Sequence, residues 1–203
     1  MSRVISLIDG FNLYHAIDTF PNLRKYKWLN LRKLSECFIH KDDELRDIIY
    51  FSAYARWDPG KFNRHKIYIK ALETANITVL LSEFRRTQKI CKLCKKKYKT
   101  YEEKETDVHI AINLFQKAID DKYDKALIIS ADSDLIPAIR AVKNTFPDKI
   151  IHIVIPIGRR AELLKQVADE YSKIKKEHLE SCQFEDVIDI SGVSILRRPV
   201  EWR

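Results

Sequence analysis

Val4-Ile5-Ser6-Leu7-Ile8 is a β-branched apolar run that stops at Asp9-Gly10 and passes into Phe11 to Ile17, which suits a helix. A buried strand, a turn carrying a carboxylate and a helix follow one another directly. Working outward, the same alternation recurs. Leu31 to Ile39 predicts a second amphipathic helix, Ile48-Ile49-Tyr50-Phe51 a buried strand, and Asp58-Pro59-Gly60 a break. From Lys61 to Ala75 the apolar residues Phe62, Ile69, Leu72 and Ala75 leave a basic face of Arg64, His65, Lys66 and Lys70, and Ile77 to Leu81 is the next strand. A lysine-rich segment at about 85–101 then interrupts the pattern as an insertion.

Beyond it, Val108, Ala111, Ile112, Phe115, Ala118 and Ile119 recur at helical spacing. Ala126 to Ile129 predicts a strand, Leu135, Ile136, Ile139 and Val142 mark a helix, Ile150 to Ile155 is the last strong strand, and Arg159 to about Ala168 is helical. Strands alternating with helices predict an α/β fold of three layers, α/β/α, around a central and mostly parallel sheet. Residues 1–180 are expected to form the domain. The weakly patterned stretch 181–203 is expected to be a C-terminal tail that packs on the body or serves a partner.

The chain has 203 residues, enough for one sizeable core. Its only glycines are Gly10, Gly60, Gly158 and Gly192, none close to another. P-loops, the dinucleotide fingerprint and the nucleophile elbow of serine hydrolases each need neighbouring glycines, so those chemistries are excluded. The formal charge of +8 gives a positive field that draws polyanions, nucleic acid first. Much of that charge crowds into Arg85, Arg86, Lys89, Lys92, Lys95, Lys96, Lys97 and Lys99, with Tyr98 and Tyr101 interleaved where a base can stack. No run approaches the length of a membrane span, and the first residues lack the pattern of a signal peptide, so a cytoplasmic protein without a membrane partner is expected.

In open α/β sheets the functional crevice lies at the carboxyl ends of the strands. There the sequence places acids: Asp9 after the first strand, Asp132 and Asp134 after the strand ending near Ser130, and Glu105 and Asp107 opening a helix. Singly, each has a structural explanation as a turn, cap or helix-dipole residue. Jointly they repel and raise one another's pKa unless a cation compensates. Oxygen-only ligands suit Mg²⁺ or Mn²⁺, which can activate water and neutralise a scissile phosphate. Asn12, one turn beyond Asp9, is placed to orient water or phosphate, and is also an ordinary helix-start residue. His15 and His109 read as packing or positioning groups.

Three stretches carry a resemblance: Ile8-Asp9-Gly10-Phe11-Asn12-Leu13, Glu103-Lys104-Glu105-Thr106-Asp107-Val108, and Ile129-Ser130-Ala131-Asp132-Ser133-Asp134-Leu135-Ile136-Pro137. In order and spacing they resemble the signatures of the NYN domain family, in the LabA-like branch of the PIN-like nucleases, over roughly residues 3 to 175. Ala168-Asp169-Glu170-Tyr171 resembles the family's closing motif and reads as structural. The resemblance implies a PIN-like (Rossmann-like) α/β/α fold and a metal-dependent endoribonuclease. Asp9, Asp107, Asp132 and Asp134 match its Mg²⁺ or Mn²⁺ ligands and Asn12 its motif asparagine, while Asp107 rather than Glu105 takes the ligand position. Substrate contacts are expected from Lys104, Arg64, Lys66 and Ser130. The alternatives are a non-catalytic RNA-binding or regulatory module of the same fold, and another phosphoryl-transfer enzyme such as a DNA nuclease or phosphatase.

Cys91-Lys92-Leu93-Cys94 has the spacing of half a structural Zn²⁺ site. The other two ligands would come from distant His or Cys residues or from a second subunit of a homodimer. The competing reading is an unoccupied thiol pair, and a redox role lacks its usual context. Cys37 and Cys182, isolated on apolar-patterned segments, are expected to be core thiols.

Overall fold

The computed structural model describes residues 1–190, 192 and 194–203. The opening run forms β1 (Arg3–Asp9), followed at once by α1 (Gly10–Asp18). A 3₁₀ turn (Pro21–Lys27) leads to α2 (Leu31–Glu36), β2 (Glu44–Ala53), α3 (Pro59–Thr74), β3 (Thr78–Ile90), β4 (Lys97–Lys104) and α4 (Thr106–Ile119). Then come β5 (Lys125–Ile129), a 3₁₀ turn (Ser133–Leu135), α5 (Ile136–Thr145), β6 (Ile150–Ile155), α6 (Glu162–Val167), β7 (Glu170–Lys173) and α7 (Lys176–Ser181). The tail makes a small ribbon of β8 (Val187–Ile190) and β9 (Ser194–Arg197), and ends in a 3₁₀ turn at Val200–Trp202.

The main sheet has seven strands in the order β4-β3-β2-β1-β5-β6-β7, parallel throughout except for β4 against β3. Strand alternation splits the apolar residues between its two faces. On one face Val4, Ile8 and Tyr50 pack with Leu13 of α1, Leu34 of α2 and Leu72 of α3. On the other, Ile5, Leu7 and Phe51 pack with Ile110 and Leu114 of α4 and Ile139 of α5. This is the expected three-layer α/β/α architecture. The chain leaves β1 toward β2 on one side and returns to β5 on the other, so the strand order reverses at β1/β5. At their carboxyl ends lies the crevice that such a reversal opens. At the opposite end of β1, the Arg3 guanidinium holds Asp124 at 2.6 Å and Asp121 at 3.0 Å, which pins β1 to the start of β5.

Several expectations need correction. The lysine-rich segment, expected without assigned structure, is strand on both sides of its turn: β3 runs through it to Ile90, turns at Cys91–Lys96 and returns as β4, paired from Glu83↔Lys104 to Ile90↔Lys97. On α4 the buried residues are Thr106, Ile110, Leu114 and Ala118, while Val108, Ile112 and Ile119 are exposed. The helix carries two apolar stripes, and the sheet takes the one with Ile110 and Leu114. On α3, His65 is not part of a solvated basic face, because it turns inward against Tyr50 and Tyr54. Cys182 is buried, but Cys37 is exposed, with its sulfur 3.5 Å from that of Cys182. The tail takes the first of its two expected roles and packs on the body: Trp202 is buried against Trp28 and Tyr68, and Arg64 pairs with Glu201 at 2.7 Å. No helix among the described residues is long and apolar enough to cross a membrane.

Candidate active site

The site begins with a packing constraint at Gly10. A Cβ there would stand 2.6 Å from both the Phe51 carbonyl and the Tyr50 ring, so only glycine lets α1 start hard against β2. That close start fixes the preceding residue. Asp9 is only 4% exposed, and its two carboxylate oxygens accept hydrogen bonds from the Asn12 backbone N–H and the Ser130 hydroxyl, both at 2.9 Å. Burial raises its pKa, and the two hydrogen bonds partly oppose that.

From Asp9 a chain of hydrogen bonds runs across the β1/β5 crevice. The Asn12 side-chain oxygen accepts the Ala131 N–H at 3.2 Å, and Ser130 Oγ accepts the Asp132 N–H at 3.1 Å. Asp132 in turn caps the next 3₁₀ turn by accepting the Asp134 N–H at 3.0 Å. The loop after β5 is therefore locked to the end of β1. Asn12 and Ser130 serve here as the internal ties that hold it.

The third contribution comes from the junction of β4 and α4. Asp107 occupies the first turn of α4, half-buried. Its pKa is pushed up to about 6, first by burial and then by the charges of Asp132, Asp9, Glu103 and Asp134. Four carboxylates thus lie within electrostatic reach of a fifth. Asp9, Asp107, Asp132 and Asp134, expected together from sequence, lie near enough for the charges of the other three to act on Asp107.

Glu103 is the acid that sequence reasoning missed. Its carboxylate accepts the Thr106 N–H at 3.0 Å and the single Thr106 hydroxyl proton, and the same hydroxyl oxygen lies 3.2 Å from Ser82 Oγ. The available signal was strand alternation: if β4 continues to Lys104, Glu103 faces opposite to Glu102 and Lys104. Glu105 lies outside the cluster in a left-handed conformation (φ 81°) and pairs with Arg85 at 2.9 Å.

The expected substrate-contact residues are dispersed. Lys104 pairs with Glu102 at 3.1 Å, across from Lys89 on the same carboxylate. Lys66 is exposed on α3, and Arg64 is tied to Glu201. Neither α3 residue joins the carboxylates. His109 sits below the cluster with Nδ1 3.3 Å from Ser82 Oγ, a positioning contact.

Hard oxygen donors with surplus negative charge match the chemistry of Mg²⁺ or Mn²⁺ binding. Among the described residues no three His, Cys, Asp or Glu side chains stand close enough together to hold a metal ion as they are, so an ion here would draw on water and substrate oxygens as well. At the hairpin turn, backbone N–H groups of Cys94 and Leu93 lower the Cys91 thiol below its usual range, which favours the thiolate that metals bind. No third ligand stands with the pair among the described residues.

Three comparisons place the chain among known proteins. The crystal structure of a protein of unknown function from Vibrio parahaemolyticus superposes with a TM-score of 0.56 at 17% identity, covering 87% of this chain and 94% of that one. A curated relative, the 6-hydroxy-3-succinoylpyridine 3-monooxygenase HspA of Pseudomonas putida, is 28% identical over 106 residues, half of this chain but only 33% of that enzyme. The model of the NYN domain matches residues 3–175, the span that contains all five acids. This chain belongs to the NYN domain family.

Proposed function

We propose that the protein is a Mg²⁺- or Mn²⁺-dependent endoribonuclease of the LabA-like branch, hydrolysing RNA phosphodiester bonds at the acidic crevice. The observation that supports this reading is that hydrogen bonds tie Asp9 through Ser130 to the Asp132–Asp134 loop across the β1/β5 crevice, with the charges of Asp9, Glu103, Asp132 and Asp134 all acting on Asp107. Asp107, Asp132 and Asp134 would hold the metal together with Asp9, and Glu103 would sit behind Asp107. When bound, such an ion polarises the phosphate and lowers the pKa of a water. Asn12 and Ser130 keep Asp9 and the Asp132 loop in register. The β3–β4 hairpin, with Arg86, Lys97 and Lys99, would hold the flanking strand of RNA by its phosphates.

On the same reading Cys91 and Cys94 would supply two ligands of a structural Zn²⁺, with the remaining pair brought by distant His or Cys residues or by a second subunit. The protein would act in the cytoplasm on RNA. HspA's named activity belongs to a protein three times as long as the matched segment and is not carried over.

The test is cleavage of labelled RNAs, DNAs and phosphomonoesters with Mn²⁺, Mg²⁺ or EDTA, beside Asp132→Asn. Metal-dependent RNA cleavage should fall roughly a hundredfold or more in the variant, the scale of losing several kcal/mol of charge stabilisation. RNA binding without cleavage under any metal, with the variant equal to the parent, would leave a regulatory RNA-binding module instead.

A further inference from the structure

Asp9 faces the carboxylate crevice, while the next residues, Gly10 and Phe11, form one wall of a cavity of about 300 Å³. That cavity opens on the α1/α3 face of the sheet, and α4 with Asp107 covers the other, so the Asp9–Phe11 turn is the ridge between the two. Its mouth is an aromatic ladder. Trp57 lies flat on Tyr101, with centroids 4.0 Å apart and planes 2° from parallel. Phe84 meets Trp57 edge-on at 4.5 Å and Phe11 at 5.2 Å. A second hollow of about 460 Å³ borders the same Trp57, Phe84 and Tyr101.

The interior offers no spare charge. Lys27 is paired with Asp18 and Arg64 with Glu201, and His65 is kept neutral because burial holds its pKa near about 4. The other polar groups are Ser52 Oγ beside His65 Nε2 at 3.4 Å, the Tyr14 hydroxyl, which accepts from Lys27 Nζ at 3.3 Å, and His15, whose pKa burial lowers. A carboxylate or phosphate would find Lys27 and Arg64 already paired. A flat, uncharged ring with hydrogen-bonding edges would find π-faces at the mouth and neutral donors and acceptors at the back. Lys61 also lines the cavity, exposed and paired with Asp58 at 3.7 Å.

We propose that this cavity is a nucleobase subsite, which takes an unpaired base of RNA next to the phosphate held at the acidic crevice. The inference rests on the endoribonuclease reading for its substrate. Unpaired bases splayed onto aromatic side chains are the usual way single-stranded RNA is read. The one-residue separation of Asp9 from Gly10 puts the base-sized hollow directly across the ridge from the reacting phosphate. Trp57 and Tyr101 would then set which side of the scissile bond must be single-stranded.

The test uses the full chain with Asp132→Asn to stop turnover, and short RNAs carrying one 2-aminopurine or one abasic position moved stepwise along the strand. Trp57→Ala removes the exposed stacking ring, Trp57→Tyr restores a ring, and Ala55→Trp fills the mouth while keeping every existing side chain there. One position should show quenched 2-aminopurine fluorescence. An abasic site there, Trp57→Ala or Ala55→Trp should each weaken binding about tenfold, the scale of one stacked base, and Trp57→Tyr should recover most of it. If the parent cleaves RNA but no position responds and the three variants bind alike, the subsite is wrong while the nuclease reading stands. If RNA neither binds nor is cut, yet a free aromatic heterocycle quenches Trp57, both readings fall and the cavity belongs to a small-molecule ligand.

Discussion

Asp107 keeps its proton to about pH 6 in the folded chain, against about 3.9 for an unfolded aspartate. Between those values the folded state binds more protons than the unfolded one, so this group makes stability fall as pH rises through the window. Without metal, Asp107→Asn should therefore melt above the parent at pH 7, and the gap should close below about pH 4. Adding Mg²⁺ should raise the melting temperature of the parent and leave the variant nearly unmoved. Thermal melts in EDTA and in Mg²⁺ at the two pH values check both statements; equal gaps at pH 4 and pH 7 would overturn them. At this scale the sequence was informative wherever an acid follows an apolar run, as with Asp9 and Asp132. It was silent on Glu103, whose orientation depends on a strand that Lys-rich composition disguises, and on His65, which becomes an interior residue only through Tyr50 and Tyr54.

The β3–β4 hairpin shows why that composition misleads. Its strands are exposed on both faces toward the tip, so they carry no apolar alternation, and lysine is also what keeps an edge ribbon from pairing with another chain. Within it Lys89 and Lys104 share Glu102, and Arg85 meets Glu105, which leaves Lys97 and Lys99 as better candidates for phosphates. Replacing both Lys97 and Lys99 by serine should weaken RNA binding regardless of sequence. The slope of log affinity against log salt should become shallower by up to about 1.4, or about 0.7 for each phosphate of a single strand that is no longer neutralised. A salt titration of binding measures this directly. On α4 the failure is of another kind: two apolar stripes satisfy the same helical spacing, and only packing against Ile5, Leu7 and Phe51 selects Ile110 and Leu114.

For the molecule as a whole, alternating strands and helices made the layered sheet legible, because parallel strands buried on both faces read as unbroken β-branched runs. The aromatic cavity was not legible, since its walls come from α1, β2, α3, the hairpin and the tail, segments that only the finished fold brings together. The tail's part is energetic as well. Trp202 packs against both Trp28 and Tyr68, so Trp202→Ala should cost about 3 kcal/mol in urea unfolding and should open the cavity floor. A loss below about 1 kcal/mol would mean that the tail is only loosely seated.

The central place of β1 sets the order in which the site comes into being. Asp9 meets Ser130, its hydroxyl partner, only across 121 positions of chain. At ordinary rates of protein synthesis those positions take roughly 6 to 24 s to make. Throughout that interval β1 has one backbone edge without its β5 neighbour, an unpaired strand suited to a chaperone, and the acidic crevice does not yet exist. On the function proposed above, a nascent chain would therefore be harmless to the message and the ribosome producing it, by topology alone.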